Sequence, residues 1–185
     1  MEQTMSPALV RRPPALVECH LAAAGDSALV SADSAVALDG RQSVRAALIA
    51  RGSGRLLVQL GFSLVSELKL ASGRRADLVA LSSNGEVWIV EIKSCVADFR
   101  ADHKWPDYRL HCDRLLFAVD PAFPTDILPD DVGLIIADGH GAELIRAAPE
   151  HRLPGPTRKA LTLRFARAAA LRLHAAIDPL VGLSE

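Results

Sequence analysis

Three charged residues stand at the ends of two apolar stretches, where a buried strand would normally carry no charge. Asp77 precedes the apolar residues 78–81, and Glu91 and Lys93 come directly after residues 87–90. Because side chains alternate along a strand, Glu91 and Lys93 share one face, roughly 6–7 Å apart. An acid on one strand and an acid-x-lysine on the next could bind a divalent cation with an ammonium group beside it.

The two stretches are joined by Asn84-Gly85, a dipeptide typical of tight turns between antiparallel strands. Such a hairpin brings Asp77 and Glu91 together, so that both carboxylates can reach one Mg²⁺ ion, which prefers oxygen ligands. Lys93 would then orient an attacking water or neutralise charge on a phosphate. The alternative is structural: an ion pair between Glu91 and Lys93 at a strand end, with Asp77 as a turn residue.

The residues before this hairpin predict one helix and one further strand. Apolar residues at helical spacing indicate a helix over 41–60, which Gly61 would end in a left-handed conformation. Residues 62–70 alternate as a strand, with the even-numbered residues on one face and Val65, Glu67 and Lys69 on the other. The order is therefore one helix followed by three strands.

The residues after the hairpin continue as an α/β pattern. A helix is predicted over 97–104, a further helical turn from Pro106 to about His111, and strands at 114–119, 132–137 and 142–145. A proline-bearing linker leads to a last helix over 158–176. On helix 97–104, the i, i+4, i+7 spacing would place Asp98, Asp102 and Trp105 on one face, either around the site or as a cap and core.

The last helix carries five basic residues and no acid among them. They would form a patch that follows the DNA backbone, or they would be a solvated helix face. These residues are Arg158, Lys159, Arg164, Arg167 and Arg172.

Composition favours a globular domain. Half of the 185 residues are hydrophobic, and the formal net charge of -1 argues neither for nor against a nucleic-acid partner. Three cysteines are few and odd in number, which favours a reducing compartment, so we expect a cytoplasmic protein. The sequence has no run of about 18 uncharged apolar residues, and no membrane span is expected. Residues 1–40, acidic and with three prolines, predict a flexible N-terminal extension to a domain over 41–185.

Asp77 followed by Glu91-x-Lys93 after an apolar strand resembles the PD-(D/E)XK nuclease superfamily, whose core has the order αβββαβ. A longer string of residues is similar to the MmcB family of bacterial DNA repair proteins over about residues 41–176. Ala76 and Cys95 depart from these patterns, because proline and a small polar residue are usual there. The matching residues are 73–77, 88–94, Asp98, Phe99, Asp102, Lys104, Trp105, Tyr108, Cys112, Asp113 and 117–119.

The resemblance implies a restriction-endonuclease-like αβββαβ core with a mixed central sheet flanked by helices, plus a C-terminal helix. It implies that Asp77, Glu91 and the backbone carbonyl of Ile92 bind the metal, and that Lys93 is the catalytic lysine. An upstream acid often adds a ligand in this superfamily. Glu67 is the candidate, and an exposed strand residue is the alternative. The implied cofactor is Mg²⁺, or Mn²⁺ in its place.

The implied activity is a metal-dependent endonuclease of DNA repair that hydrolyses phosphodiester bonds at the bacterial nucleoid. No base-reading helix or zinc-finger spacing is visible, so we expect recognition of branched or damaged DNA rather than of sequence. Repair proteins and a second copy of the chain are further expected partners. The alternative is a module of the same fold that binds DNA or a repair partner without cutting. The candidate DNA contacts are Arg74, Arg75, Ser94, Lys104 and Tyr108.

Overall fold

The computed structural model describes residues 44–178, so the extension predicted over residues 1–40 lies outside the described residues. A six-stranded sheet forms the centre of the described region. Its strands are β1 Ser63–Lys69, β2 Arg75–Leu81, β3 Val87–Lys93, β4 Arg114–Val119, β5 Gly133–Ala137 and β6 Ala142–Arg146. The helices are α1 Val44–Gln59, α2 Val96–Ala101 and α3 Gly155–Ile177, with 3₁₀-helices at Trp105–His111 and Thr125–Ile127.

The strands follow one another across the sheet in chain order. β1, β2 and β3 are antiparallel, β3, β4 and β5 are parallel, and β6 is antiparallel to β5. Parallel neighbours need a crossover connection, and α2 with the first 3₁₀-helix supplies the one between β3 and β4. This arrangement confirms the predicted α/β fold with a mixed sheet, flanking helices and a C-terminal helix.

Apolar residues form a separate core on each face of the sheet. On one face Ile49 and Leu57 of α1 pack in the same core as Ile92 of β3. On the other face Phe165 of α3 and Phe117 of β4 belong to the second core, together with residues of the first 3₁₀-helix. The fold therefore has a helical layer on each side of the sheet.

The alternation of β3 directs its charged end toward the face that carries α2 and α3. Ile92 packs in the α1 core, whereas the Nζ atom of Lys93 lies 5.9 Å from the centre of the Phe117 ring in the other core. Glu91 is paired in register with Phe117. Glu91 and Lys93 therefore share a face, as the sequence pattern predicted.

The hairpin between β2 and β3 forms where the Asn-Gly pair predicts it. Gly85 has a φ of 85°, and the N–H of Ser82 donates to the carbonyl of Glu86 at 3.0 Å. Asn84 does not share the left-handed conformation. Its side-chain oxygen instead accepts from the N–H of Glu86 at 3.2 Å. The turn is thus a three-residue loop in which glycine supplies the positive φ.

The predicted alternation of β1 is wrong beyond Ser66. Leu64 packs on the α1 side of the sheet, whereas Leu68 packs on the opposite side together with Val65. Between them Glu67 has a φ of 52°, in the left-handed region, and this interrupts the regular alternation of the strand. Nothing in the sequence marks this position, because left-handed backbone favours glycine, asparagine or aspartate.

The helix predicted over 97–104 is shorter in the structure. Asp102 already has non-helical angles of φ −88° and ψ 89°, and its Oδ1 accepts from the N–H of Lys104 at 2.9 Å. An aspartate that binds nearby backbone in this way competes with helix continuation. The predicted one-face relation of Asp98, Asp102 and Trp105 is therefore wrong, because the helix ends before Asp102.

Candidate functional site

The candidate site lies where β2 separates from β3. The last paired residues of the two strands at this end are Leu78 and Val90. Beyond them, side-chain carboxylates take the place of ladder bonds. The N–H of Asp77 donates to Glu91 Oε1 at 3.3 Å, and the N–H of Ile92 donates to Asp77 Oδ2 at 2.9 Å. Each carboxylate is thus held by the backbone of the opposite strand, and the two acids lie side by side.

The electrostatics of this pair are unfavourable without a cation. Glu91 is 4% exposed. Burial and the neighbouring Asp77 carboxylate raise the pKa of Glu91 from 4.5 to about 8, against a smaller opposing effect of Lys93. Burial also raises the pKa of Asp77, in spite of the hydrogen bond from Ile92. The folded pair therefore retains a proton near neutral pH that isolated carboxylates would have released.

The donor set fits a hard divalent cation. Asp77 and Glu91 offer carboxylate oxygens, and Ile92, whose carbonyl is the further predicted ligand, is among the residues that line the same cleft. Mg²⁺ keeps several water ligands and commonly uses only one or two protein carboxylates. Within residues 44–178, no group of three or more His, Cys, Asp or Glu side chains is arranged to hold a metal ion. The fit therefore depends on two acids, a carbonyl and water.

Lys93 is buried beside the carboxylates and has a fixed partner. Its Nζ atom donates to Asp102 Oδ2 at 2.5 Å, and the two side chains are 5% and 21% exposed. The charge of Lys93 lowers the pKa of both Asp77 and Glu91, less strongly than burial raises it. The sequence pattern placed Asp102 near the site by helical spacing, but the helix ends before Asp102. Nothing in the sequence indicated the ion pair of Asp102 with Lys93.

Most of the predicted site residues line one open cleft of about 340 Å³. Glu67, Arg74 and Lys104 are not among its lining residues. Those that line it are Ala46, Arg75, Asp77, Glu91, Ile92, Lys93, Ser94, Asp98 and Tyr108.

Glu67 lies on β1 between the pairs that join this strand to β2, and its charge raises the pKa of Asp77 slightly. Its Oε2 is 2.5 Å from Nε of Arg75. The structure therefore brings Glu67 close enough for Asp77 to sense its charge, but directs its carboxylate to Arg75. Its role as a metal ligand remains a prediction.

The predicted DNA contacts differ in how accessible their polar groups are. Lys104 is exposed, and Arg74 forms an ion pair with the exposed carboxylate of Asp107. The backbone N–H of Ser94 donates to Asp98 Oδ2 at 3.2 Å. Lys104 can thus exchange water for a phosphate, and Arg74 can exchange the exposed acid Asp107 for a phosphate.

Tyr108 is buried, and its hydroxyl donates to the carbonyl of Arg75 at 2.9 Å. Burial and the charge of Glu91 raise the pKa of the Tyr108 hydroxyl above its ordinary value, so this group stays protonated. It fixes the start of β2 next to the cleft. A phosphate contact from Tyr108 remains a prediction, and its observed hydrogen bond is structural.

Three of the five basic residues predicted on the last helix hold that helix to the sheet. Arg158 binds the Asp113 carboxylate with two nitrogens at 2.7 Å each. Arg164 donates to the Lys69 carbonyl at 3.3 Å, and Arg172 donates to backbone carbonyls of β1. Arginines therefore cover the outer edge of an edge strand, which protects it from pairing with other chains.

The comparisons with known proteins agree with this architecture. A family described as DNA repair protein MmcB-like matches residues 33–180. A solved structure of a protein of unknown function from Silicibacter pomeroyi is 44% identical, covers 78% of this chain and 100% of its own, and superposes with a TM-score of 0.74. No functionally curated protein matches the chain. Within residues 44–178, none of the helices has the length and apolar character that a membrane crossing requires. Since the family match spans most of the sequence, the chain belongs to the MmcB-like family of DNA repair proteins.

Proposed function

We propose that this chain is a metal-dependent endodeoxyribonuclease that acts in DNA repair. The family indicates the process, and the likeness of Asp77, Glu91 and Lys93 to the PD-(D/E)XK pattern suggests the reaction. One observation carries the proposal. The buried carboxylate of Glu91 and the partly buried carboxylate of Asp77 are held side by side at the split between β2 and β3, with raised pKa values and a buried lysine next to them. A site with perturbed carboxylates in a cleft is typical of catalysis.

Each residue has a definite role in this proposal. Asp77, Glu91 and the Ile92 carbonyl would hold Mg²⁺ or Mn²⁺, releasing the proton that the carboxyl pair otherwise retains. When bound, the metal supplies Lewis acidity toward the scissile phosphate and lowers the pKa of the attacking water. The ammonium group of Lys93 would orient that water and neutralise charge on the phosphate. Arg75, at the edge of the cleft, would bind a neighbouring phosphate.

The substrate that we propose is branched or damaged DNA. Arg74, Arg75 and Lys104 are backbone-contacting residue types, and contacts to phosphates position a protein without reading sequence. Recognition would then depend on DNA shape and on salt concentration. Work at the nucleoid, with repair proteins or a second copy of the chain as partners, belongs to the same proposal.

The test is cleavage of four-way junction, flap and linear DNA by the full chain with Mg²⁺ or Mn²⁺. We expect Glu91→Gln and Lys93→Met to lower the rate about 100-fold or more, because each removes a group that acts on the transition state. The control Asp130→Asn removes an exposed acid whose partner is Arg146, and its rate should stay within about twofold of wild type.

A second measurement reports metal binding without cleavage. Mg²⁺ at ten times its Kd should raise the free energy of unfolding by about 1.4 kcal/mol in the wild type. Glu91→Gln should show no such increase, because the charge that attracts the ion is gone. Wild-type protein that neither cleaves any of these DNAs nor gains stability from Mg²⁺ or Mn²⁺ would rule out the proposal.

The alternative function is a module that binds DNA or a repair partner without cutting it. The observation in its favour is that the described residues contain no group of three acidic, histidine or cysteine ligands. In that case DNA should bind with equal affinity in EDTA and in Mg²⁺, and Glu91→Gln should bind DNA as tightly as the wild type or more tightly. Fluorescence anisotropy with a labelled junction separates the two functions.

A further inference from the structure

Lys93 is held in one position by contacts on two sides. Its ammonium group donates to Asp102 at 2.5 Å, and it lies 5.9 Å from the centre of the Phe117 ring. A lysine is almost never this deeply buried without a partner, and a cation over an aromatic face gains further attraction. The direction in which the ammonium group faces is therefore determined by Asp102 and by the ring beneath it.

Asp102 is itself fixed by the end of α2 and by the residues that follow it. Its own N–H donates to the carbonyls of Asp98 and Phe99 at 3.2 and 3.3 Å. Its Oδ1 accepts from the N–H of Lys104 at 2.9 Å, which leaves Oδ2 for Lys93. One carboxylate thus joins the end of α2, the start of the 3₁₀-helix and the end of β3.

The same segment fixes the aromatic ring. Phe99 and Trp105 stand edge-on to Phe117, with ring centres 5.6 and 5.4 Å away. These contacts fall within the range that aromatic pairs prefer. The segment from Phe99 to Trp105 therefore supplies both the acid that binds Lys93 and two of the contacts that hold the ring in place.

We propose that Asp102 is a positioning residue that orients the ammonium group of Lys93 toward the carboxylates of Asp77 and Glu91. This role rests on the proposed nuclease function, in which Lys93 acts on the attacking water or the phosphate. Asp102 is not among the residues that line the cleft. It would act through geometry, since catalytic groups must be held within a fraction of an ångström of their working position.

A purely structural role would differ in what it requires. If Asp102 only neutralises a buried lysine, any carboxylate in reach serves equally well, so Asp102→Glu should behave like the wild type. A positioning role requires the shorter side chain, because the extra methylene of glutamate moves the ammonium group. The pair Asp102→Asn and Asp102→Glu therefore separates charge from position.

The experiment is a double-mutant cycle with Lys93→Met, measured in cleavage rate and in free energy of unfolding with the full chain. We expect Asp102→Asn to lower kcat about 10- to 100-fold while KM changes by less than about twofold. In the Lys93→Met background the same change should lower kcat by less than about threefold, because the group that it positions is absent. Asp102→Glu should keep wild-type stability but a kcat at least about tenfold low.

The outcomes distinguish this role from the proposed function. Asp130→Asn, which removes an exposed acid that pairs with Arg146 and not with Lys93, should leave kcat unchanged. An active wild type with an Asp102→Glu variant of equal kcat would overturn the positioning role alone. So would an equal loss from Asp102→Asn with and without Lys93. A wild type inactive on every DNA substrate would overturn the proposed function, and the positioning role with it.

Discussion

The two ends of β3 hold buried charge in opposite ways. Among the described residues, the buried charged side chains are Glu91 and Lys93 at the C-terminal end of the strand, and Asp113 beside its N-terminal end. Asp113 binds two nitrogens of Arg158 and the backbone N–H groups of Val87 and Leu153. Glu91 has the N–H of Asp77 at 3.3 Å and another carboxylate next to it.

The pKa values follow this difference. Burial alone would raise the pKa of Asp113, but hydrogen bonds from Arg158, Leu153 and Val87 outweigh it and hold the pKa below its ordinary value. At the other end burial and Asp77 raise the pKa of Glu91 to about 8. A carboxylate satisfied by its own protein serves stability, whereas one left short of positive charge is ready for a ligand. We therefore call the Asp113 end of β3 the structural end and, following the proposed function, the Glu91 end the functional end.

The largest expected effect is at the structural end. Asp113→Ala would leave Arg158 without its carboxylate and two buried N–H groups without acceptors. We expect the free energy of unfolding to fall by about 3–5 kcal/mol in urea titrations at pH 7 in EDTA. Asp130→Ala is the matched control, since Asp130 is exposed, and should change stability by less than about 0.5 kcal/mol. A decrease in the free energy of unfolding of less than about 1 kcal/mol for Asp113→Ala would contradict the structural role of this end of β3.

The second effect is a pH dependence set by the functional end. Glu91 has a pKa of about 8 in the folded protein and 4.5 ordinarily, so between these values the folded state holds a proton that the unfolded chain releases. Stability must therefore fall as pH rises through this window. We expect a loss of about 3 kcal/mol between pH 5 and pH 8 without metal. Urea titrations at several pH values in EDTA measure it.

Glu91→Gln supplies the control for that pH dependence. The amide cannot ionise, so most of the loss between pH 5 and pH 8 should disappear, and at pH 8 the variant should be more stable than the wild type. The acid side behaves oppositely. The lowered pKa of Asp113 means that its contribution is present above the ordinary pKa of 3.8 and is lost as pH falls below it. A wild-type stability that rises from pH 5 to pH 8 would contradict this assignment.

Local signals explain why the sequence predicted the fold and the carboxylate pair. Asn84-Gly85 between two apolar runs indicates a hairpin, and a hairpin with these run lengths places Asp77 next to Glu91. The strand over 114–119 is apolar after Arg114, as a strand buried on both faces should be. Such features depend on residues that are close together in the sequence, so the sequence pattern alone can predict them.

Contacts between distant residues could not be predicted in the same way. Arg158 meets Asp113 from 45 positions away, and the sequence offered only a choice between a DNA-binding face and a solvated one. The pair of Lys93 and Asp102 depends on where α2 ends, which helical spacing placed too late. These contacts are set by tertiary packing, which overrides local patterns.

Whether Glu67 belongs to the functional end of β3 can be tested by substitution. It has a φ of 52°, its carboxylate binds Arg75, and its charge raises the pKa of Asp77. Glu67→Gln and Glu67→Gly both remove the carboxylate, but only glycine relieves the left-handed backbone. We expect the glycine variant to be more stable than the glutamine variant by roughly 0.5–1 kcal/mol in urea titrations. Equal stabilities would mean that this backbone stores no strain.

Calorimetric titration of Mg²⁺ into the Glu67→Gln and Glu67→Gly variants then tests whether the left-handed backbone at Glu67 contributes to cation binding. Strained backbone persists only where the surrounding structure enforces it, and it concentrates at functional sites. If the left-handed turn directs Glu67 toward the cation, both variants should bind Mg²⁺ several-fold more weakly than the wild type. This should hold even though the glycine variant is more stable than the glutamine variant. If both variants bind Mg²⁺ as the wild type does, Glu67 serves Arg75 and β1 alone, and the metal is held by Asp77, Glu91 and the backbone between two separating strands.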